Sequence, residues 1–230
     1  NENYLYFGDS MNAPYGTKEV SVIRELTIKN IEKLLDMGAK SIVVACNTAT
    51  SAAVRVLRQM YPKIPLVGIE PAIKPAVEYK EKSRVVVMAT PMTLKQEKFQ
   101  NLMKKYENQA EIVPLPCPGL MEFVERGDLE GEDLYNYLSI LFGSVNSKKI
   151  DSVVLGCTHY PFAKKAIEAV VGKDVQIFDG GEGTAREMRR RMQCASLINP
   201  SKEKGTVKFI NSKDTEEERE LCEFLLNLKM

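Results

Sequence analysis

Short runs of β-branched and aliphatic residues alternate with longer amphipathic stretches along almost the whole chain. The pattern predicts strands over 4–8, 41–46, 65–69, 84–89, 111–114, 152–157, 175–178 and 206–210. Between them it predicts helices over 18–37, 48–60, 71–80, 92–106, 118–126, 131–143, 160–171, 182–194 and 214–228. Gly38 and Gly172 close two of these helices and Tyr61-Pro62 a third, while Asp214 or Thr215 caps the last, ahead of Glu216, Glu217 and Glu218 in its first turn. Strands and helices in this order build an α/β fold, with doubly wound parallel sheets covered by helices on both faces.

Two of the apolar runs repeat each other. Ser41-Ile42-Val43-Val44-Ala45-Cys46-Asn47-Thr48 and Ser152-Val153-Val154-Leu155-Gly156-Cys157-Thr158-His159 align without a gap. Each reads as a strand buried on both faces that delivers a cysteine at its carboxyl end, where α/β proteins gather their ligands. The cysteines stand about one domain length apart, so two similar lobes are expected. Residues 1–74 with 180–230 would form the lobe carrying Cys46, and residues 75–179 the lobe carrying Cys157. One thiol from each lobe, meeting across a cleft, could remove a proton from one face of a carbon and return a proton to the other.

Composition narrows the setting. The 230 residues hold 32 basic and 31 acidic side chains, a balance that argues against nucleic acid or a membrane surface as partner. Arg189-Arg190-Arg191 reads as a solvated helix face. No apolar run approaches the roughly 20 residues of a membrane span, and no secretory leader is evident, so a cytoplasmic location is expected. Five cysteines without a CxxC pair and a single histidine fit a reduced compartment better than a zinc site or a disulfide framework. No GxGxxG or GxxxxGK[ST] pattern supports a nucleotide cofactor.

Cys46 sits just ahead of a helix, whose amino terminus would favour a thiolate. Asn47, Thr48 and Thr158 offer donors beside helix-start amides, a setting for a carboxylate. His159, two residues after Cys157, can trade a proton with a neighbouring thiol. Pro14-Tyr15-Gly16 marks a fixed turn after the first strand, and Thr90-Pro91-Met92-Thr93 a strand-to-helix junction.

These motifs together resemble the cofactor-independent aspartate/glutamate racemases, and among them the glutamate racemases. The residues that carry the resemblance run over nearly the whole chain: Tyr6-Phe7-Gly8-Asp9, Pro14-Tyr15-Gly16-Thr17, Val44-Ala45-Cys46-Asn47-Thr48-Ala49-Thr50, Glu70-Pro71, Ala89-Thr90-Pro91, Cys117-Pro118 and Leu155-Gly156-Cys157-Thr158-His159-Tyr160-Pro161. The resemblance implies two catalytic acid/bases, Cys46 acting on the D isomer and Cys157 on the L isomer, with His159 and Glu125 as auxiliary partners. It implies that Asp9, Pro14, Tyr15, Gly16, Asn47, Thr48, Thr90, Thr93, Thr158 and His159 surround a glutamate substrate, without metal or cofactor. It further implies a supply of D-glutamate for peptidoglycan, and is compatible with a homodimer.

The family pattern begins with a further strand ending in Asp-Ser-Gly-x-Gly-Gly, and this sequence starts after it. A chain lacking that segment is expected to leave sheet edges open and to have little racemase activity of its own. Two rivals stay open: an aspartate or other amino-acid racemase on the same fold, and a non-catalytic amino-acid-binding form.

Overall fold

A computed structural model describes residues 1–145 and 147–228. The lobe expectations also reach over Asn146, Lys229 and Met230, which lie outside the described residues. The chain forms two compact units, Asn1–Ile69 with Gly181–Asn227, and Glu70–Gly180 with Leu228. Among the described residues no helix is long and apolar enough to cross a membrane.

The first unit contains β1 (Tyr4–Gly8), α1 (Val20–Asp36), β2 (Ile42–Val44), α2 (Asn47–Met60) and β3 (Leu66–Gly68). Ile23 and Ile31 of α1 and Ala49, Ala52, Ala53, Val54 and Leu57 of α2 form one core with Ile42, Val44 and Leu66. Small residues on α2 let it lie close to the sheet. A side chain at Gly68 would meet Thr50 Cγ2 at 2.5 Å, so glycine is what allows this approach. Thr50 in turn donates its hydroxyl to the Val44 carbonyl at 3.0 Å, tying the helix to the strand that precedes it.

The second unit contains α3 (Ile73–Glu78), β4 (Arg84–Ala89), α4 (Pro91–Lys95), α5 (Glu97–Lys104), β5 (Glu111–Pro116), α6 (Leu120–Glu125), α7 (Glu132–Gly143), β6 (Ser152–Leu155), α8 (Lys164–Val171) and β7 (Gln176–Asp179). Its parallel sheet runs in the order β5-β4-β6-β7. Every residue of β4 is buried, and Val85, Val87 and Ala89, at period two, join the core built with Ile73, Ala76, Val77 and Phe99.

The chain then returns to the first unit with α9 (Gly181–Cys194), β8 (Val207–Asn211) and α10 (Glu216–Asn227). There the strands form two parallel pairs, β1-β8 and β2-β3.

Several expectations change in detail. β2 is not buried on both faces: Ile42 and Val44 enter the core but Val43 is 45 % exposed. Met188 and Met192 of α9 cover Val67 on the neighbouring strand and leave Val43 open. The helix predicted over 92–106 divides at Gln96, whose backbone is extended. The helix predicted over 160–171 begins as a 3-10 turn, Tyr160–Ala163, with Pro161 at its start. The arginine run is only partly a solvated face. Arg190 pairs with Glu187, but Arg191 also donates to the Leu66 carbonyl at 3.2 Å.

Candidate active site

In the first unit Cys46 is the residue before α2, with extended backbone and its side chain half-buried. The Thr50 amide donates to its carbonyl at 2.9 Å, so Cys46 stands at the positive end of a 14-residue helix. Asn47 and Thr48 form the first turn and are both buried. Asn47 Oδ1 is buried and lacks a hydrogen-bond partner among the described residues. A buried acceptor left this way costs about 1–3 kcal/mol until a donor arrives.

The loop after β1 folds into two 3-10 turns, Ser10–Asn12 and Tyr15–Thr17, around a cis Ala13–Pro14 peptide. Here Tyr15 donates its hydroxyl to Asp9 Oδ2 at 2.6 Å, and Asn12 Nδ2 donates to Asp9 Oδ1 at 2.9 Å. From α1, Asn30 Nδ2 donates to Asp9 Oδ2 at 3.1 Å and to the Tyr15 oxygen at 3.3 Å. Burial opposes ionisation of Asp9, but these donors and Ser212 outweigh it and hold the carboxyl below its usual range. Tyr15 is pushed well above its ordinary value, first by burial, then by its bond to Asp9 and the charges of Asp9 and Cys46. The phenol therefore keeps its proton. Tyr15 and Cys46 pack against the same core cluster.

In the second unit β6 ends at Leu155 and Gly156 follows it. Its amide donates to the Met88 carbonyl at 2.7 Å, and a Cβ there would lie 2.6 Å from the same oxygen, so only glycine passes. Cys157 follows, half-buried. His159 Nδ1 lies 3.7 Å from Cys157 Sγ, and its Nε2 lies 2.6 Å from Glu125 Oε1. Both ring nitrogens thus face protein atoms. Burial works against the imidazolium, yet the bonds and charges of Cys157 and Glu125 prevail and raise its pKa to about 10. The result is a thiol–imidazole–carboxylate line that can hold or pass one proton.

Tyr160, with no exposed surface, joins the Cys157 and Cys117 carbonyls: its amide donates to the first and its hydroxyl to the second, each at 3.2 Å. Burial, and then the charge of Cys157, push the Tyr160 hydroxyl and the Cys117 thiol upward, so both stay protonated. Cys117 is fully packed and donates to the Leu115 carbonyl at 3.2 Å. Thr90 caps α4, accepting from the Thr93 amide at 3.2 Å, with the two hydroxyls 2.9 Å apart and Thr93 buried.

Within the first unit the structure thus brings Asp9, Pro14, Tyr15, Gly16, Cys46, Asn47 and Thr48 onto the β1 and β2 exits and the start of α2. Within the second it brings Glu125, Cys157, Thr158 and His159 together beside the Tyr160–Ala163 turn, with Thr90 and Thr93 at the exit of β4. Sequence reasoning passed over Asn30 and Tyr137, whose hydroxyl reaches the Pro118 carbonyl at 2.9 Å. Asn30 did leave a signal: it stands three residues after buried Thr27 and seven after buried Ile23, on the inward face of α1.

The sequence model of the Asp/Glu/Hydantoin racemase family matches residues 7–188, and the chain belongs to that family. Within it, the similarity is to glutamate racemases. A glutamate racemase from Clostridium perfringens is 52 % identical over 229 residues, which is 100 % of this chain and 88 % of the relative. The solved glutamate racemase of Francisella tularensis, bound to D-glutamate, superposes with a TM-score of 0.84 at 26 % identity, covering 100 % of this chain and 86 % of that one. A Bacillus anthracis glutamate racemase isoform gives 0.87 at 25 % identity with the same two coverages.

Proposed function

We propose that this glutamate racemase works without a cofactor, Cys46 and Cys157 serving as the two acid/bases that exchange the α-proton of glutamate. In the D-to-L direction Cys46, as thiolate, removes the proton from one face of the α-carbon while Cys157, as thiol, delivers one to the other; the reverse direction exchanges the roles. The α-proton is a far weaker acid than a thiol, so the transition state must be stabilised by fixed donors around the carboxylate.

The observation that carries this reading is the Cys157–His159–Glu125 line in one unit, together with a second cysteine at the start of α2 in the other. His159 returns a proton to Cys157 after delivery and balances the charge of its thiolate. Glu125 holds the ring in place. The unpartnered Asn47 Oδ1 supports a contact with the substrate ammonium; the place of Thr48 in the first turn of α2 and of Thr158 next to Cys157 supports contacts with its carboxylates. Thr90, Thr93 and the Pro14–Tyr15–Gly16 turn complete the surroundings of the substrate. Asp9, whose oxygens already accept from Tyr15, Asn12, Asn30 and Ser212, acts through Tyr15. The product D-glutamate would enter peptidoglycan synthesis. The compartment is taken to be the cytoplasm, supported by five cysteines without a CxxC pair in the sequence.

Cys46→Ser and Cys157→Ser, made in a full-length form that carries the family's first strand, test the assignment. Each should nearly abolish racemisation, followed by circular dichroism of glutamate, because a hydroxyl is a much poorer base than a thiolate. Calorimetric affinity for glutamate should change far less. Retention of most of the activity by either variant would remove that cysteine from the mechanism.

A further inference from the structure

The Tyr15 phenol has one proton and stands where it feels the charge of Cys46. A phenol that donates to a thiolate stabilises it and weakens it as a base. In this structure the proton goes elsewhere, to Asp9 Oδ2 at 2.6 Å, and the direction is fixed by a third residue. Asn30 Nδ2 donates to both partners, at 3.1 Å to the carboxylate and at 3.3 Å to the phenol oxygen, closing a three-membered ring of hydrogen bonds. The Nδ2 group thus occupies the acceptor side of the Tyr15 oxygen and leaves the O–H only the carboxylate to face. Asn12 holds the other carboxylate oxygen, so Asp9 cannot turn away.

Resting on the reading of Cys46 as an acid/base, we propose that Asn30 is a positioning residue for that thiol. It locks the Tyr15 hydroxyl onto Asp9, keeps the phenolic proton off the sulfur, and holds the Pro14–Tyr15–Gly16 turn in one orientation beside α2. Asn30 touches neither sulfur nor substrate. It is a poor helix former in the middle of a 17-residue helix, and the ring of hydrogen bonds is what its side chain does there.

The test is a double-mutant cycle on the whole protein with Asn30→Leu, Tyr15→Phe and the double variant, reading kcat/KM for racemisation and the midpoint of urea unfolding. Leucine keeps the volume and its helix preference offsets part of the lost hydrogen bonds, so the unfolding midpoint should fall only modestly and the protein stay folded. Asn30→Leu should nevertheless lower kcat/KM about tenfold, the scale of a lost hydrogen bond to a charged group. In the Tyr15→Phe background, which has no phenolic proton to misdirect, the same change should cost almost nothing further. Wild-type kcat/KM in Asn30→Leu, or an equal loss with and without the Tyr15 hydroxyl, would overturn the proposal. Cys46→Ser serves beside them as control. Full activity in that variant would defeat the two-thiol reading itself, while the coupling between Asn30 and Tyr15 would still be read from the cycle.

Discussion

At the scale of the residue, both ring nitrogens of His159 are engaged, one by a thiol and one by a carboxylate. Its folded pKa of about 10 lies above the value near 6.5 of an unfolded histidine. The stabilisation this shift represents is therefore complete below about pH 6.5 and is lost as pH rises through about 10. Since the chain has a single histidine, an NMR titration of the imidazole carbon protons reads one residue without assignment. The midpoint should lie near 10 in the native protein, and Glu125→Gln should bring it down. A native midpoint near 6.5 would remove the line of three groups from the account. The pairing of His159 with Cys157 was legible because the two residues are neighbours in sequence. That of His159 with Glu125 was not: it joins the end of α6 to the loop after β6, and only the resemblance to a family pointed to it.

At the scale of the element, the two cysteine motifs look alike as sequence but leave the sheet differently. Cys46 precedes a regular α-helix, whereas Cys157 precedes a loop and a 3-10 turn that starts at Tyr160-Pro161. The repeat placed a strand ahead of each cysteine, but both strands stop two residues short of the expected ends, at Val44 and Leu155. The repeat could not show the form of the next element, because Pro161 stands at the start of that turn and buried Tyr160 ties it to the exit of β5. The one position where the repeat exchanges Ala45 for Gly156 has a physical cause in the Met88 carbonyl, 2.6 Å from where a Cβ would be. Gly156→Ala should push the end of β6 away from β4 and displace Cys157. A misplacement of this kind costs about 10²-fold in rate. Steady-state racemisation by this variant, beside its urea unfolding, checks the prediction. A catalytic rate unchanged by the methyl group would show that Cys157 tolerates the shift.

At the scale of the whole molecule, the α/β class and the order of elements follow from the alternation of apolar runs and amphipathic stretches. The pairing of strands does not, since periodicity reports which face is buried and never which strand lies alongside. Val43 is an instance: its β-branched neighbours read as covered on both sides, and the helix that would cover it lies over Val67 instead. Each unit has its own core, and the cores can be perturbed separately. Leu57→Ala, at a fully buried site in the first unit, should cost about 2–5 kcal/mol in urea unfolding. It should leave the His159 titration unmoved below the unfolding transition, because the Cys157 and Glu125 partners of that imidazole belong to the second unit. A shifted titration would mean that the two units do not hold their sites independently.

The central claim, two thiols acting on opposite faces of one carbon, is tested most directly by the isotopic course of racemisation in deuterium oxide. If Cys46 removes the α-proton of D-glutamate and Cys157 supplies another from its solvent-exchanged thiol, L-glutamate formed in the first turnovers carries deuterium at the α-carbon. Unreacted D-glutamate keeps its protium over the same interval. Mass spectrometry of the separated isomers reads both pools. L-glutamate that emerges still bearing the substrate's own proton would mean that one group carries the proton from face to face, and would contradict the account.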